Sequence, residues 1–143
     1  LMQGINAKIR KKPKRVVFAE GEDENMLKAA IEFGKNKLGI PIHRFPLKGD
    51  GTGNPAEYQK ALVKLKQEEN AGRKILLHCA AGTNRTGGAV FLYRTIFEQI
   101  TDERALSEMK HYDFSLKDNG HLITYLKKIR PSVEQTLQTN NLL

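Results

Sequence analysis

The stretch His78-Cys79-Ala80-Ala81-Gly82-Thr83-Asn84-Arg85-Thr86-Gly87 carries a thiol and a guanidinium separated by five loop positions. A tight turn from a strand into a helix points backbone N–H groups inward, and the helix dipole adds positive potential. Such a loop is a phosphate cradle. Ala80, Ala81, Gly82, Thr83 and Asn84 supply its backbone, and Arg85 closes the ring with a two-pronged contact to phosphate oxygens. Gly82 and Gly87 permit close approach of the chain. The same field favours the thiolate of Cys79 over the thiol, which makes it a nucleophile. Nucleophile, anion site and charge clamp therefore lie within one loop. The plain alternative is a buried cysteine at a strand end.

The elements that must position this loop can be read around it. Lys74-Ile75-Leu76-Leu77 predicts a buried strand ending at His78. From Arg85 onward Ala89, Val90, Leu92, Tyr93, Ile96, Phe97 and Ile100 recur at helical spacing. Upstream, Arg15-Val16-Val17-Phe18-Ala19 is a short β-prone run. Gly21 to Asn25 forms a polar turn, and Leu27, Ala30, Ile31, Gly34 and Leu38 share one helical face, which Gly39 ends. Ile40 to Leu47 is a second strand, made irregular by Pro41 and Pro46. Asn54, Pro55 and Glu57 start a helix with Tyr58, Ala61, Leu62 and Leu65 on its buried face, and Asn70-Ala71-Gly72 ends it. Beyond the cradle come a helix over Thr101–Tyr112, a turn near Asp113–Asn119 and a helix through Ile129. Pro131 then breaks the pattern, and Ser132 with Gln135 boxes a last helix. The order βαβαβ followed by helices predicts an α/β fold with a central, mostly parallel sheet flanked by helices. The cradle sits at the carboxyl end of the last strand, where ligands bind in such sheets.

At 143 residues the chain is expected to form one domain. No apolar run is long enough to span a membrane, and no apolar stretch follows the basic N-terminus, so neither a membrane segment nor a secretory signal is expected. The single cysteine excludes an internal disulfide and a cysteine-rich zinc site and suits a reducing cytoplasm. The formal charge of +8 favours anionic partners. Part of it lies in Lys8, Arg10, Lys11, Lys12, Lys14 and Arg15, read as a solvated arm; no nucleic-acid motif accompanies it. His43, His111 and His121 have no ligand spacing, so neither a metal nor a cofactor is expected.

The loop resembles the His-Cys-x5-Arg-(Ser/Thr) signature of the cysteine-dependent protein tyrosine and dual-specificity phosphatases, with His78, Cys79, Gly82, Arg85, Thr86 and Gly87 at its fixed positions. The likeness, to small bacterial members, runs from about Ile40 to the C-terminus. It implies the cysteine-phosphatase fold, although residues 1–14 hold no convincing copy of the strand hairpin that usually opens it. It implies phosphomonoester hydrolysis through a phosphocysteine. Cys79 is then the nucleophile and Arg85 the clamp. Thr86 donates to the thiolate or satisfies the helix start, and His78 orders the loop. Phe45-Pro46-Leu47-Lys48-Gly49-Asp50-Gly51-Thr52-Gly53 looks like the general-acid loop of compact members, with Asp50 lying 29 residues before Cys79. Asp50 is the acid or merely a turn aspartate, with Asp23, Asp113 and Asp118 weaker candidates. Asn119, with Asp118, lies where the family places a polar loop near the site; Asn119 positions water or caps a helix. The implied substrates are a phosphorylated protein or a small phosphomonoester, with phosphate and vanadate as inhibitors. The absence of lysine from the cradle argues against a highly phosphorylated inositol lipid, and a shallow pocket accepting aryl phosphates is expected.

Lys14 to Asn25, running on to Ile42, resembles the start of a phosphate acetyltransferase domain, which also ends bacterial malic enzymes. The expected organisation is a single phosphatase domain over 1–143, with a basic arm at 1–13, a strand–helix unit of foreign origin at 14–42 and a core at 43–143. The chain is then a recombined or engineered chimera, or a natural phosphatase with a coincidental segment. Two other functions share the loop: a phosphate-binding scaffold without turnover, and a rhodanese-like sulfurtransferase.

Overall fold

The computed structural model describes Lys14–Phe18 and residues 41–143. The elements are β1 (Lys14–Phe18), β2 (Ile42–Arg44), α1 (Pro55–Asn70), β3 (Lys74–His78), α2 (Asn84–Phe97), α3 (Asp102–His111) and α4 (Leu116–Thr139). The described strands lie in the order β2-β1-β3, paired in parallel, with Val16 opposite both Ile42 and Leu76. The turn at Gly21–Asn25, the helix over Leu27–Leu38, the arm at 1–13 and Asp23 lie outside the described residues.

Local chemistry explains most boundaries. Pro41 and Pro46 flank β2 and limit it to three residues. The Asn54 side chain accepts from the Ala56 amide at 3.0 Å, and Pro55 opens α1 where a missing N–H costs nothing. Thr101 caps α3 by accepting from Arg104 N, and Ser115 caps α4 by accepting from Asp118 N. Tyr58, Leu62, Leu92, Leu122, Leu126, Val133 and Leu137 form the driest part of one core between α1, α2 and α4.

Three expectations change. Strand β3 is not buried on both faces: Ile75 and Leu77 pack toward the core while Leu76 is 53% exposed, because side chains alternate across a strand. On α2 the buried aromatic is Phe91, and Val90 faces outward. Pro131 does not end the last helix. Helix α4 passes through it to Thr139, bends instead at Asn119 (φ −124°, ψ 20°), and the Ser132 hydroxyl donates to Ile129 O rather than capping a new helix. An interior proline costs about 3 kcal/mol, but full burial of Val133 and Leu137 beyond it returns roughly 1.5–3 kcal/mol each. Pro131 and Lys127 are also exposed, so water can reach the Lys127 carbonyl that has lost its partner.

Candidate active site

Strand β3 ends at His78 and α2 starts at Asn84, so the loop between them spans the carboxyl end of the sheet. Cys79 lies at its base, 7% exposed. Gly82 has φ +76°, a conformation that glycine adopts without strain, and it turns the chain around the thiol. Burial pushes the Cys79 thiol up, yet the Thr86 hydroxyl, the amides of Thr86 and Gly82 and the Arg85 charge outweigh it and hold the thiol below its usual range. The Thr86 hydroxyl is buried without a hydrogen-bond partner, and it acts on the Cys79 sulfur by favouring its charged form. Thr83 opens α2 without a side-chain cap, so the first amides of the helix remain available to an anion. Ala80, Ala81 and Gly82 form the exposed rim. The His78 ring lies 3.4 Å from Cys79 O, at the entrance to the loop.

Asp50 sits in a second loop, between β2 and α1. One carboxylate oxygen accepts from the Thr52 amide and hydroxyl, both at 2.8 Å, and the other lies 3.0 Å from His121 Nε2 on α4. Burial pushes the carboxyl up, but the two Thr52 bonds and His121 prevail and hold it below the usual carboxylate range. Asp50, Cys79 and Arg85 all act electrostatically on the buried Tyr58 phenol. Gly51 has φ +87°, and a Cβ there would meet Leu122 at 2.9 Å and Asn84 O at 3.1 Å; only glycine lets this loop settle against α4 and α2.

Asn84 joins the two loops. Its Nδ2 donates to Gly49 O at 3.4 Å and to Asn119 Oδ1 at 3.3 Å. Its side chain is thus turned toward the Asp50 loop, and Asn119 stands beside it at the bend in α4. Asp118 is exposed and accepts from the Ser115 hydroxyl at 2.5 Å, a helix-start contact. Asp113 lies in the turn after α3 and lines a cavity of about 390 Å3 between α2 and α3, whose apolar wall is Val90, Phe91, Ala105 and Met109. The cavity shares Ala81, Gly82, Thr83 and Thr86 with the cradle.

Sequence reasoning placed Tyr58 only on a buried helix face, considered His121 only as a metal ligand, and passed over Tyr125. All three touch the Asp50 loop. One signal was available for Tyr58: a buried tyrosine needs an acceptor, and a glycine-rich loop just before its helix offers carbonyls. Among the described residues no cluster of His, Cys, Asp or Glu could hold a metal ion, and no helix is long and apolar enough to cross a membrane.

Comparison with known proteins divides the chain. Residues 1–73 match the family described as phosphate acetyl/butaryl transferase, a longer stretch than the residues 14–42 that carry the resemblance in the sequence. Over 41 residues the chain is 45% identical to the NADP-dependent malic enzyme of Rhizobium meliloti, covering 29% of this chain and 5% of that enzyme. Over 64 residues it is 36% identical to the dual specificity protein phosphatase TpbA of Pseudomonas aeruginosa, covering 45% of this chain and 29% of TpbA. The chain therefore matches less than a third of either relative. Among solved structures, a mutant form of Tk-PTP superposes with a TM-score of 0.71 at 18% identity, over 90% of this chain and 84% of that one. The described residues are α/β and match this fold. The chain belongs to the phosphate acetyl/butaryl transferase family over residues 1–73, and carries in its described residues the fold of the tyrosine and dual-specificity phosphatases.

Proposed function

We propose that the chain hydrolyses phosphomonoesters as a cysteine-dependent phosphatase of the tyrosine and dual-specificity type. The observation that carries this reading is the strand–loop–helix that buries Cys79 at the base of a loop turned by Gly82 at φ +76°, with Arg85 and Thr86 in the first turn of α2. The Cys79 thiolate attacks phosphorus in line, and the bond to the leaving oxygen breaks as Asp50 delivers its proton to that oxygen. Arg85 and the amides of residues 80–85 bind the equatorial oxygens most strongly as charge develops. Water then attacks the phosphocysteine, the Asp50 carboxylate takes a proton from it, and phosphate leaves as the thiolate re-forms with help from Thr86. His78 orders the loop, and Asn119, held by Asn84, positions the water; Asp118 acts only through the helix start.

The scaffold of this reading is a single domain over 1–143, with an arm at 1–13, a borrowed strand–helix unit at 14–42 and a core at 43–143. Its sheet is central, mostly parallel and flanked by helices, without the usual opening hairpin. Substrates are a phosphorylated protein or a small phosphomonoester; TpbA, of the same fold, has been solved in complex with pTyr. The apolar cavity beside the cradle favours an aryl group on the ester. Phosphate and vanadate compete for the cradle, and a single functional thiol fits a cytoplasmic setting.

A second reading is a phosphate-binding module without turnover. It is favoured by the ionised state of Asp50, held by Thr52 and His121. Turnover of p-nitrophenyl phosphate, with and without vanadate, separates the two. Vanadate-sensitive release of nitrophenol is expected. Phosphate binding without release would establish the module, and sulfur transfer from thiosulfate would move the chain to the rhodanese-like class.

A further inference from the structure

The glycine-rich loop that carries Asp50 is tied at two of its carbonyls by phenols from different helices. Tyr58 of α1 donates to Gly51 O at 2.7 Å, and Tyr125 of α4 donates to Gly53 O at 2.9 Å. The two rings pack on one another with centroids 6.2 Å apart. Tyr58 is wholly buried. Its hydroxyl is wedged against the first turns of α2, where a Cβ on Gly88 would lie only 2.4 Å from the phenol oxygen. The phenol thus contacts the Asp50 loop on one side and the helix that carries Arg85 and Thr86 on the other. Burial pushes the Tyr58 phenol up, and burial with the Asp50 charge does the same for Tyr125, so both remain protonated donors.

We infer that Tyr58 and Tyr125 are positioning residues, a two-point clasp that sets the Asp50 loop at a fixed place over the cradle instead of leaving it a mobile lid. The geometry stands on its own; its catalytic meaning rests on the phosphatase reading. Gly88 belongs to the device, because any larger residue displaces the Tyr58 hydroxyl. Replacing either phenol by phenylalanine keeps the ring and its packing while removing the bond to the loop and leaving one loop carbonyl unpaired.

Two measurements on the full chain test the clasp. Amide hydrogen exchange reads the loop without reference to activity. Lys48 N–H, bonded to Thr52 O at 2.8 Å, and Gly51 N–H, bonded to Lys48 O at 2.9 Å, should exchange at least about tenfold faster in the Y58F/Y125F double variant, with α2 amides unchanged. Gly88→Ala, which retains both hydroxyls, should loosen the same two amides. Exchange changed by less than about twofold in both variants overturns the clasp. The second measurement is kcat for an alkyl phosphate against p-nitrophenyl phosphate. The double variant should lose at least about tenfold on the alkyl ester and less than about threefold on the activated one, with a weakened alkaline limb. An equal loss on both esters with an unchanged pH profile overturns the positioning role. A wild-type chain that turns over no phosphomonoester, in which the variants still loosen the loop, overturns the phosphatase reading and leaves the clasp standing.

Discussion

In the cradle, the polar groups that act on Cys79 come from residues 82 to 86, so backbone turns and one helix start supply the field. In the Asp50 loop, the anchors come from Tyr58 on α1, Asn84 on α2 and His121 and Tyr125 on α4, besides Thr52 within the loop. The first site is assembled by covalent proximity. The second is assembled by tertiary packing and depends on three helices docking correctly. Damage to the cradle should therefore be severe and local. Damage to the acid loop should be graded and should show most in pH and leaving-group dependence.

The largest effect is expected from Cys79→Ser. Turnover should fall by at least about 10⁴-fold, or roughly 5 kcal/mol of barrier, while phosphate binding survives in part because the amides remain. Retention of near-wild-type turnover in pure variant protein would rule out a cysteine mechanism. Arg85→Lys comes next, with a loss of about 10³-fold, because a point ammonium cannot make the two-pronged contact. A lysine variant within about threefold of wild type would show that charge alone suffices in the cradle.

The same contrast explains what was legible in the sequence. His78 to Gly87 could be read because everything the cradle needs is consecutive. The starts of α1 and α3 were legible at Asn54-Pro55 and Thr101, where capping is local. Pro131 misled because its local preference was outweighed by burial of Val133 and Leu137, which no window of sequence displays. Asp50 was legible as a candidate only through its spacing and resemblance. Its partner His121 lies 71 positions away and Tyr125 lies 72 positions from Gly53, separations that carry no pattern. The phosphate acetyl/butaryl transferase match extends over Asp50 and α1 to residue 73.

Asp50→Asn should sit below the cradle variants. A loss of about 10²-fold is expected on an alkyl phosphate and under about tenfold on p-nitrophenyl phosphate, whose leaving group needs little proton donation. The proposed mechanism requires Cys79 ionised and Asp50 protonated. Ionisation of the thiol raises the rate with pH, and ionisation of the carboxyl lowers it. Asparagine cannot titrate, so the alkaline limb should vanish while the acid limb stays. Persistence of the alkaline limb in this variant would assign the acid elsewhere and dissolve the contrast between the loops.

The smallest effect is also the most discriminating. His121 favours the charged form of Asp50 through a hydrogen bond and, when its ring is protonated, through charge, and that form cannot donate a proton. Removing the ring in His121→Ala leaves the Thr52 bonds, so the Asp50 pKa should rise only part of the way back. A higher pKa keeps the acid protonated to higher pH, and the alkaline limb should move up, not down. His121 is half exposed, and solvent screens the pair, so the rate on that limb should increase by only about two- to threefold, less than 1 kcal/mol. The limb belonging to Cys79 should not move, because Cys79 draws its field from Gly82, Arg85 and Thr86 alone among these groups. An alkaline limb that shifts to lower pH would mean that His121 supplies the proton with Asp50 as its orienting partner. A shift of both limbs together would mean that the cradle and the acid loop are one electrostatic unit rather than two.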